Sequence, residues 1–207
     1  MTGGRDAQQL ERLTFFSDAV FAIAMTLLVI EVRLPVLHGV SEAGLGHALL
    51  SLYPNYIGFI ASFLVIGRFW VAHHRLMGML DRHDEALVWA NLLFLLAVAF
   101  MPFPTAVFSE YVGLRVGVGL YAGWLVLLGL LNHRLFRLAL GNDRLVRPGI
   151  DAGTRRLQVR VSWAPVLIGG IAFVLGMVWP PLSVVGLFFG SPLFNRLMRG
   201  GQVAPTG

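Results

Sequence analysis

The sequence predicts an all-α integral membrane protein, a single domain of six transmembrane helices. Three observations carry that prediction. Of 207 residues, 57% are hydrophobic and only 13% charged, whereas about a quarter of a soluble domain is charged. The mean hydropathy is +0.73. The apolar residues also gather into runs near the roughly 20 residues that cross a bilayer core.

Taken in order, the spans fall at about 13–34, 48–74, 86–108, 113–136, 157–178 and 181–198. The first opens as "RLTFFSDAVFAIAMTLLVIEVRLP" and closes at Pro35. The second is long enough to tilt or to project from the bilayer. In the third, Pro102 and Pro104 of "FMPFPTA" predict a bend near its end. The fourth spaces Gly113/Gly117 and Gly119/Gly123 four apart, which predicts close helix approach. "WPP" at 179–181 separates the fifth from the short sixth, which Ser191-Pro192 bends. Residues 1–200 form the domain and 201–207 a disordered tail. The stretch 137–156 is the one sizeable connection, too short and polar for a second domain.

Charge orients the chain. All 16 basic residues are arginine. With the N-terminus inside, fourteen lie at the inner ends and only Arg33 and Arg115 at the outer. Basic residues concentrate on the cytoplasmic side, so both termini are expected in the cytoplasm. The same rule accounts for the net charge of +5 without nucleic acid as a partner. The N-terminal segment lacks a cleavable signal pattern. With no cysteine, disulfides and thiolate metal sites are excluded. His73-His74 has no HExxH or HxxxH partner, so neither a metal ligand set nor an enzyme is expected, and no cofactor.

Polar residues gather at one depth. Ser17 and Asp18 follow Arg12 by about 6–9 Å of helix rise. Trp70 and His73 share a face near the inner end of the second span. Asn91 lies a turn into the third. Ionisable groups in lipid are costly and turn inward towards partners. Asp18 can accept from Trp70, His73 or Asn91. Two readings compete, a structural clamp and a proton relay. Asparagine and tryptophan cannot change charge to pass a proton, which favours the clamp. At 100° per residue Asp18 sits about 140° from Ile23. The Ile23 side is a narrow apolar stripe of Ile23, Leu27, Ile30 and Leu34, edged by Thr26 and Glu31. By pattern alone it is a surface for lipid or protein.

Arg12-xxx-Phe16-Ser17-Asp18 resembles the RxxxFSD signature opening the first helix of the transmembrane protein 175 family, the lysosomal potassium channels and their bacterial relatives. "FWVAHH" is similar to that family's second-helix Trp-xx-His element, and "NLLFLLAVAFMPFPTA" to its third helix. The likeness covers about residues 12–106; beyond it only hydropathy and span number agree. Ile30 stands where the family often has leucine.

The resemblance implies a homotetramer with the first helix lining a central pore in a prokaryotic plasma membrane. It implies stacked apolar rings of Ile23, Leu27 and Ile30, with Thr26 a hydroxyl layer beside the narrowest. Arg12, Ser17, Asp18, Trp70, His73 and Asn91 would form the supporting network behind them. Such a constriction gates by dewetting, and no TVGYG carbonyl filter is present. Potassium, which sheds water more easily than sodium, would be modestly favoured. Glu31 at the outer mouth would concentrate monovalent cations or reach for interfacial water and Arg33. A proton-conducting channel with His73 or Asp18 in the path is the nearest alternative. An ion-coupled transporter is another, though broken helices and inverted halves are not evident.

Overall fold

The apolar runs fold into helices because lipid offers no partner for a bare N–H or C=O. The computed structural model describes residues 3–35 and 41–180. Among them the order is α1 (Gly3–Leu27) with a 3₁₀ turn at Leu28–Glu31, α2 (Glu42–Ser51), α3 (Tyr53–Gly78), α4 (Glu85–Ala99), α5 (Pro102–Glu110), α6 (Arg115–Gly141), α7 (Ala152–Val161) and α8 (Ala164–Val178). Five segments are long and apolar enough to cross a membrane: Asp6–Glu31, Tyr53–Gly78, Glu85–Glu110, Arg115–Gly141 and Ala152–Val178. The protein is therefore a multi-pass helical membrane protein. The sixth expected span and the tail lie outside the described residues.

Helix ends differ from the hydropathy boundaries for local reasons. α1 starts ten residues before the expected 13, because Gln8, Gln9, Leu10, Glu11 and Arg12 are good helix formers that hydropathy discards. The expected second span divides at Leu52 into α2, capped by Ser41 Oγ accepting from Gly44 N–H at 3.0 Å, and α3. Asp84 caps α4 by accepting from Leu87 N–H at 2.8 Å. The connection after α6 shrinks to 142–151, since α6 runs to Gly141 and α7 begins at Ala152. Asp151 caps α7, and its bonds to Thr154 hold its carboxyl below the ordinary carboxylate range. This connection is pinned to the α3–α4 link. Asp81 N–H reaches Leu145 O at 2.8 Å and Arg147 N–H reaches Met79 O at 2.9 Å, over the buried side chains of Leu80 and Leu145.

The proline bend falls between α4 and α5, and a neighbouring helix supports it. Pro102 and Pro104 have no N–H, and Met101 N–H bonds Val98 O at 3.1 Å. The Ala97 carbonyl is left without a donor from its own helix. Trp124 of α6 donates its indole N–H to that oxygen at 3.0 Å. Trp124→Phe should therefore strand a carbonyl in the bundle and lower stability by about 1–3 kcal/mol. Thermal unfolding in detergent, read against Trp179→Phe at an exposed position, checks it.

α6 is the hub, packed against α4, α5, α7 and α8, while α1 packs on α3 and α4. Gly119 and Gly123, singled out by the spacing, do face side chains of α8, but the backbone-to-backbone approach is made by other glycines. A Cβ on Gly129 would meet Val166 N at 2.8 Å, and one on Gly169 would meet Val126 N at 3.1 Å, so α6 and α8 cross backbone to backbone. Gly119 faces the Met177 side chain of α8, but Gly117 abuts Tyr111 O at the entrance to its own helix, and Gly113 faces open space. Spacing identifies small residues; helix rotation decides which are used. Gly129→Val should cost at least about 1–3 kcal/mol, because the obstruction is main chain and cannot rotate away. A lower unfolding temperature than for Gly170→Val, where a Cβ meets nothing within 4 Å, is the expected result.

Candidate permeation helix and its polar clamp

α1 has two unlike faces. Leu10, Ser17, Phe21, Ala24 and Leu28 are buried, spaced by seven, four, three and four residues, one side of a helix. Phe21 packs against His73 (ring centroids 5.5 Å) and Phe94 (5.9 Å). The opposite side is bare. Ile23 is 58% exposed, Leu27 40% and Ile30 54%. The tightening to a 3₁₀ turn at Leu28–Glu31 brings residues three apart into line, so Ile30 stands over Leu27. Thr26 is exposed beside them, its hydroxyl donating back to Ile23 O at 2.9 Å.

The buried side is fixed by a directed chain of hydrogen bonds. Asn91 Nδ2 donates to Ser17 Oγ at 2.9 Å, and Ser17 Oγ donates to Leu13 O at 2.8 Å. Asn91 Oδ1 lies 2.8 Å from His73 Nε2. An amide oxygen only accepts, so the bonding pattern assigns the hydrogen to Nε2. Ser17, His73 and Asn91 are fully buried, and the chain ties α3, α4 and α1 together. It ends at a backbone carbonyl. His73 Nδ1 has no partner among the described residues.

Asp18 belongs to a second, more open bond. It accepts from Trp70 Nε1 at 2.8 Å, the first of its three candidate donors; Asn91 is committed to Ser17 and His73 to Asn91. Trp70 is half-exposed and packs against His74, ring centroids 5.7 Å apart and tilted. His73 and His74 thus diverge, one into the core and one to its edge. Arg12 corrects the expected grouping. Eleven residues before Ile23, it lies on the same side of α1, exposed, in a groove with Gln9, Leu13, Phe16, His83 and Val88. It joins neither bond, because a 100° step carries it away from Ser17 and Asp18.

At the other end, Glu31 is half-exposed and its carboxylate makes no ion pair among the described residues. Arg33 does not reach it; Arg33 Nε bonds Ile30 O at 3.4 Å. The Glu31 main-chain oxygen accepts from Asn55 of α3 at 3.3 Å, holding the end of α1.

Two further polar groups escaped the sequence reading. Ser62 Oγ lies 3.0 Å from Tyr121 OH and 2.8 Å from Thr105 Oγ1, all buried, tying α3, α5 and α6. His133 Nδ1 lies 2.8 Å from Ser162 Oγ. The available signal was polar residues inside apolar runs, at depths other than that of Asp18.

The sequence profile of the family described as endosomal/lysosomal potassium channel TMEM175 matches residues 12–102. A potassium channel of Chamaesiphon minutus is 39% identical over 192 residues, covering 89% of this chain and 92% of its own. The chain belongs to the TMEM175 family. A potassium channel of Streptomyces collinus is 36% identical, over 88% of this chain and 84% of its own. The chicken TMEM175, an endosomal/lysosomal proton channel, is 26% identical over 94% of this chain, which spans 40% of that longer relative. The crystal structure of a lysosomal potassium-selective channel TMEM175 homolog from C. minutus superposes with a TM-score of 0.77 at 37% identity, covering 92% of this chain and 98% of its own. TMEM175 membership accounts for the likeness over residues 12–106 and extends it to most of the chain.

Proposed function

We propose that four copies of this chain assemble around α1 as a potassium-permeable cation channel of a prokaryotic plasma membrane, with both termini in the cytoplasm. The observation that carries this reading is the asymmetry of α1. One face is locked to α3 and α4 by buried hydrogen bonds, and the other exposes Ile23, Leu27 and Ile30, uncovered by the described residues of its own chain. Four such faces enclose an oily path in which Ile23, Leu27 and Ile30 form rings and Thr26 lends oxygen beside them. Water leaves so narrow an apolar ring, which closes it to ions until it widens. An ion crossing it sheds part of its hydration shell and gains no carbonyl ligands, so potassium, the less tightly hydrated, passes more readily than sodium. Four Glu31 carboxylates at the mouth raise the local cation concentration. No cofactor takes part.

Proton conduction is the second reading, favoured by the name of the vertebrate relatives. In this chain the His73–Asn91–Ser17 bonds stop at Leu13 O, and an amide cannot carry a proton onward. Proteoliposomes decide between the readings. Potassium should flow down its gradient faster than sodium with no coupled ion. Proton flux that needs valinomycin to carry the compensating potassium, with no potassium flux when valinomycin is absent, supports the proton channel. Saturable uptake requiring a second ion's gradient supports a transporter. Cross-linking between α1 helices should yield tetramers; a monomer ends the pore assignment.

A further inference from the structure

We propose that the end of the bundle formed by α7 and the last turns of α6 holds the headgroup of an anionic phospholipid, with its acyl chains along α8. Ser162 and Trp163 keep right-handed helical dihedrals between α7 and α8. Residues four and three apart therefore share a side from Arg156 to Arg160 to Trp163. The same side continues through Leu167, Ile171, Val174 and Val178, all exposed. One facet thus runs from guanidiniums through an indole to an unbroken aliphatic strip. That is the sequence of chemistries met along a phospholipid, from phosphate to glycerol to hydrocarbon, and tryptophan favours the interfacial level.

The indole is held in place. His133 packs against Trp163 with ring centroids 4.4 Å apart and the rings tilted by 37°. Ser162 Oγ donates to Val159 O at 2.7 Å, so at the 2.8 Å contact between His133 Nδ1 and Ser162 Oγ the histidine donates. Arg137, one turn beyond His133 on α6, brings a third exposed guanidinium to this end. Neither carboxylate of the connection neutralises these three. Asp143 pairs with Arg155, and Asp151 is engaged with Thr154. Among the described residues no ion pair involves Arg137, Arg156 or Arg160. A planar guanidinium meets a phosphate with two parallel hydrogen bonds, and no residue of α7 is buried, so the facet is open to a headgroup.

The test is native mass spectrometry of the full chain from detergent with equal amounts of phosphatidylglycerol and phosphatidylcholine. The wild type should retain the anionic lipid by about fivefold, the equivalent of roughly one basic residue at an anionic surface. The triple variant Arg137→Gln, Arg156→Gln, Arg160→Gln should retain the two equally, and the corresponding triple lysine variant should keep the preference. Arg156→Gln alone, with an unchanged size-exclusion profile, should fall between, which guards against loss through misfolding. An unchanged preference in the triple glutamine variant overturns the proposal. So does release of the lipid by millimolar inorganic phosphate, or a Trp163→Ala variant that loses its oligomeric state instead of its lipid.

Discussion

Ile23→Asn is expected to raise single-channel potassium conductance by about tenfold, which corresponds to removing ~1.4 kcal/mol from the barrier. The side chain projects from the bare face of α1, 58% exposed in the single chain. Among the described residues nothing packs over it, so the fold tolerates the change. In the proposed tetramer four asparagines would wet the ring, and the barrier set by water withdrawal would fall. Their amide oxygens also replace part of the lost hydration for either ion, so the preference for potassium over sodium shrinks. Planar-bilayer recording under bi-ionic conditions measures both. Val116→Thr, a comparable polar change at an exposed position of α6, should leave conductance and selectivity as they were. Equal currents from Ile23→Asn and the wild type would remove Ile23 from the path.

Asn91→Leu should damage the subunit more than Asp18→Ala does. Asn91 is the middle of the buried chain, so a leucine leaves the His73 Nε2–H without an acceptor and removes the donor to Ser17. A buried orphan costs about 1–3 kcal/mol. His73, Ser17 and Asn91 have no water-accessible surface through which to recover it. The Asp18–Trp70 bond is half-open, and Trp70 can turn to water when the carboxylate is gone. Loss of most assembled protein on size exclusion is expected for Asn91→Leu, with a smaller loss for Asp18→Ala. If the two variants assemble equally well, or if Asn91→Leu assembles normally and alters proton current instead, the chain is not a clamp.

The polar residues show how far a linear reading reaches. Ser17, Asp18, Trp70, His73 and Asn91 were recognisable because each interrupts an apolar run near the same end of its helix, and a polar atom in lipid requires a partner. Their pairing was not. Whether Asp18 met Trp70, His73 or Asn91 depended on the rotation of α3 and α4 about their own axes. Arg12 was grouped with these residues through the family signature, whereas its phase matches Ile23 and, among the described residues, it joins neither bond. Ser62, Thr105 and Tyr121 were overlooked since hydroxyl residues are common in apolar helices and their own turns can satisfy them. The Trp124–Ala97 bond had no linear signal at all. It exists because a proline bend frees a carbonyl on one helix at the height of an indole on another.

The sequence by itself determined that this chain lives in a bilayer as helices, and that its first helix has one face for its own subunit and one for something else. Both follow from composition and from the 100° repeat, which are properties of single segments. The tertiary structure decided which polar atoms meet, where the helices break and which glycines let α6 and α8 touch. Those depend on how far each helix is turned and slid against its neighbours. That is a balance of close packing and hydrogen-bond satisfaction over the whole bundle, to which no one segment holds the answer.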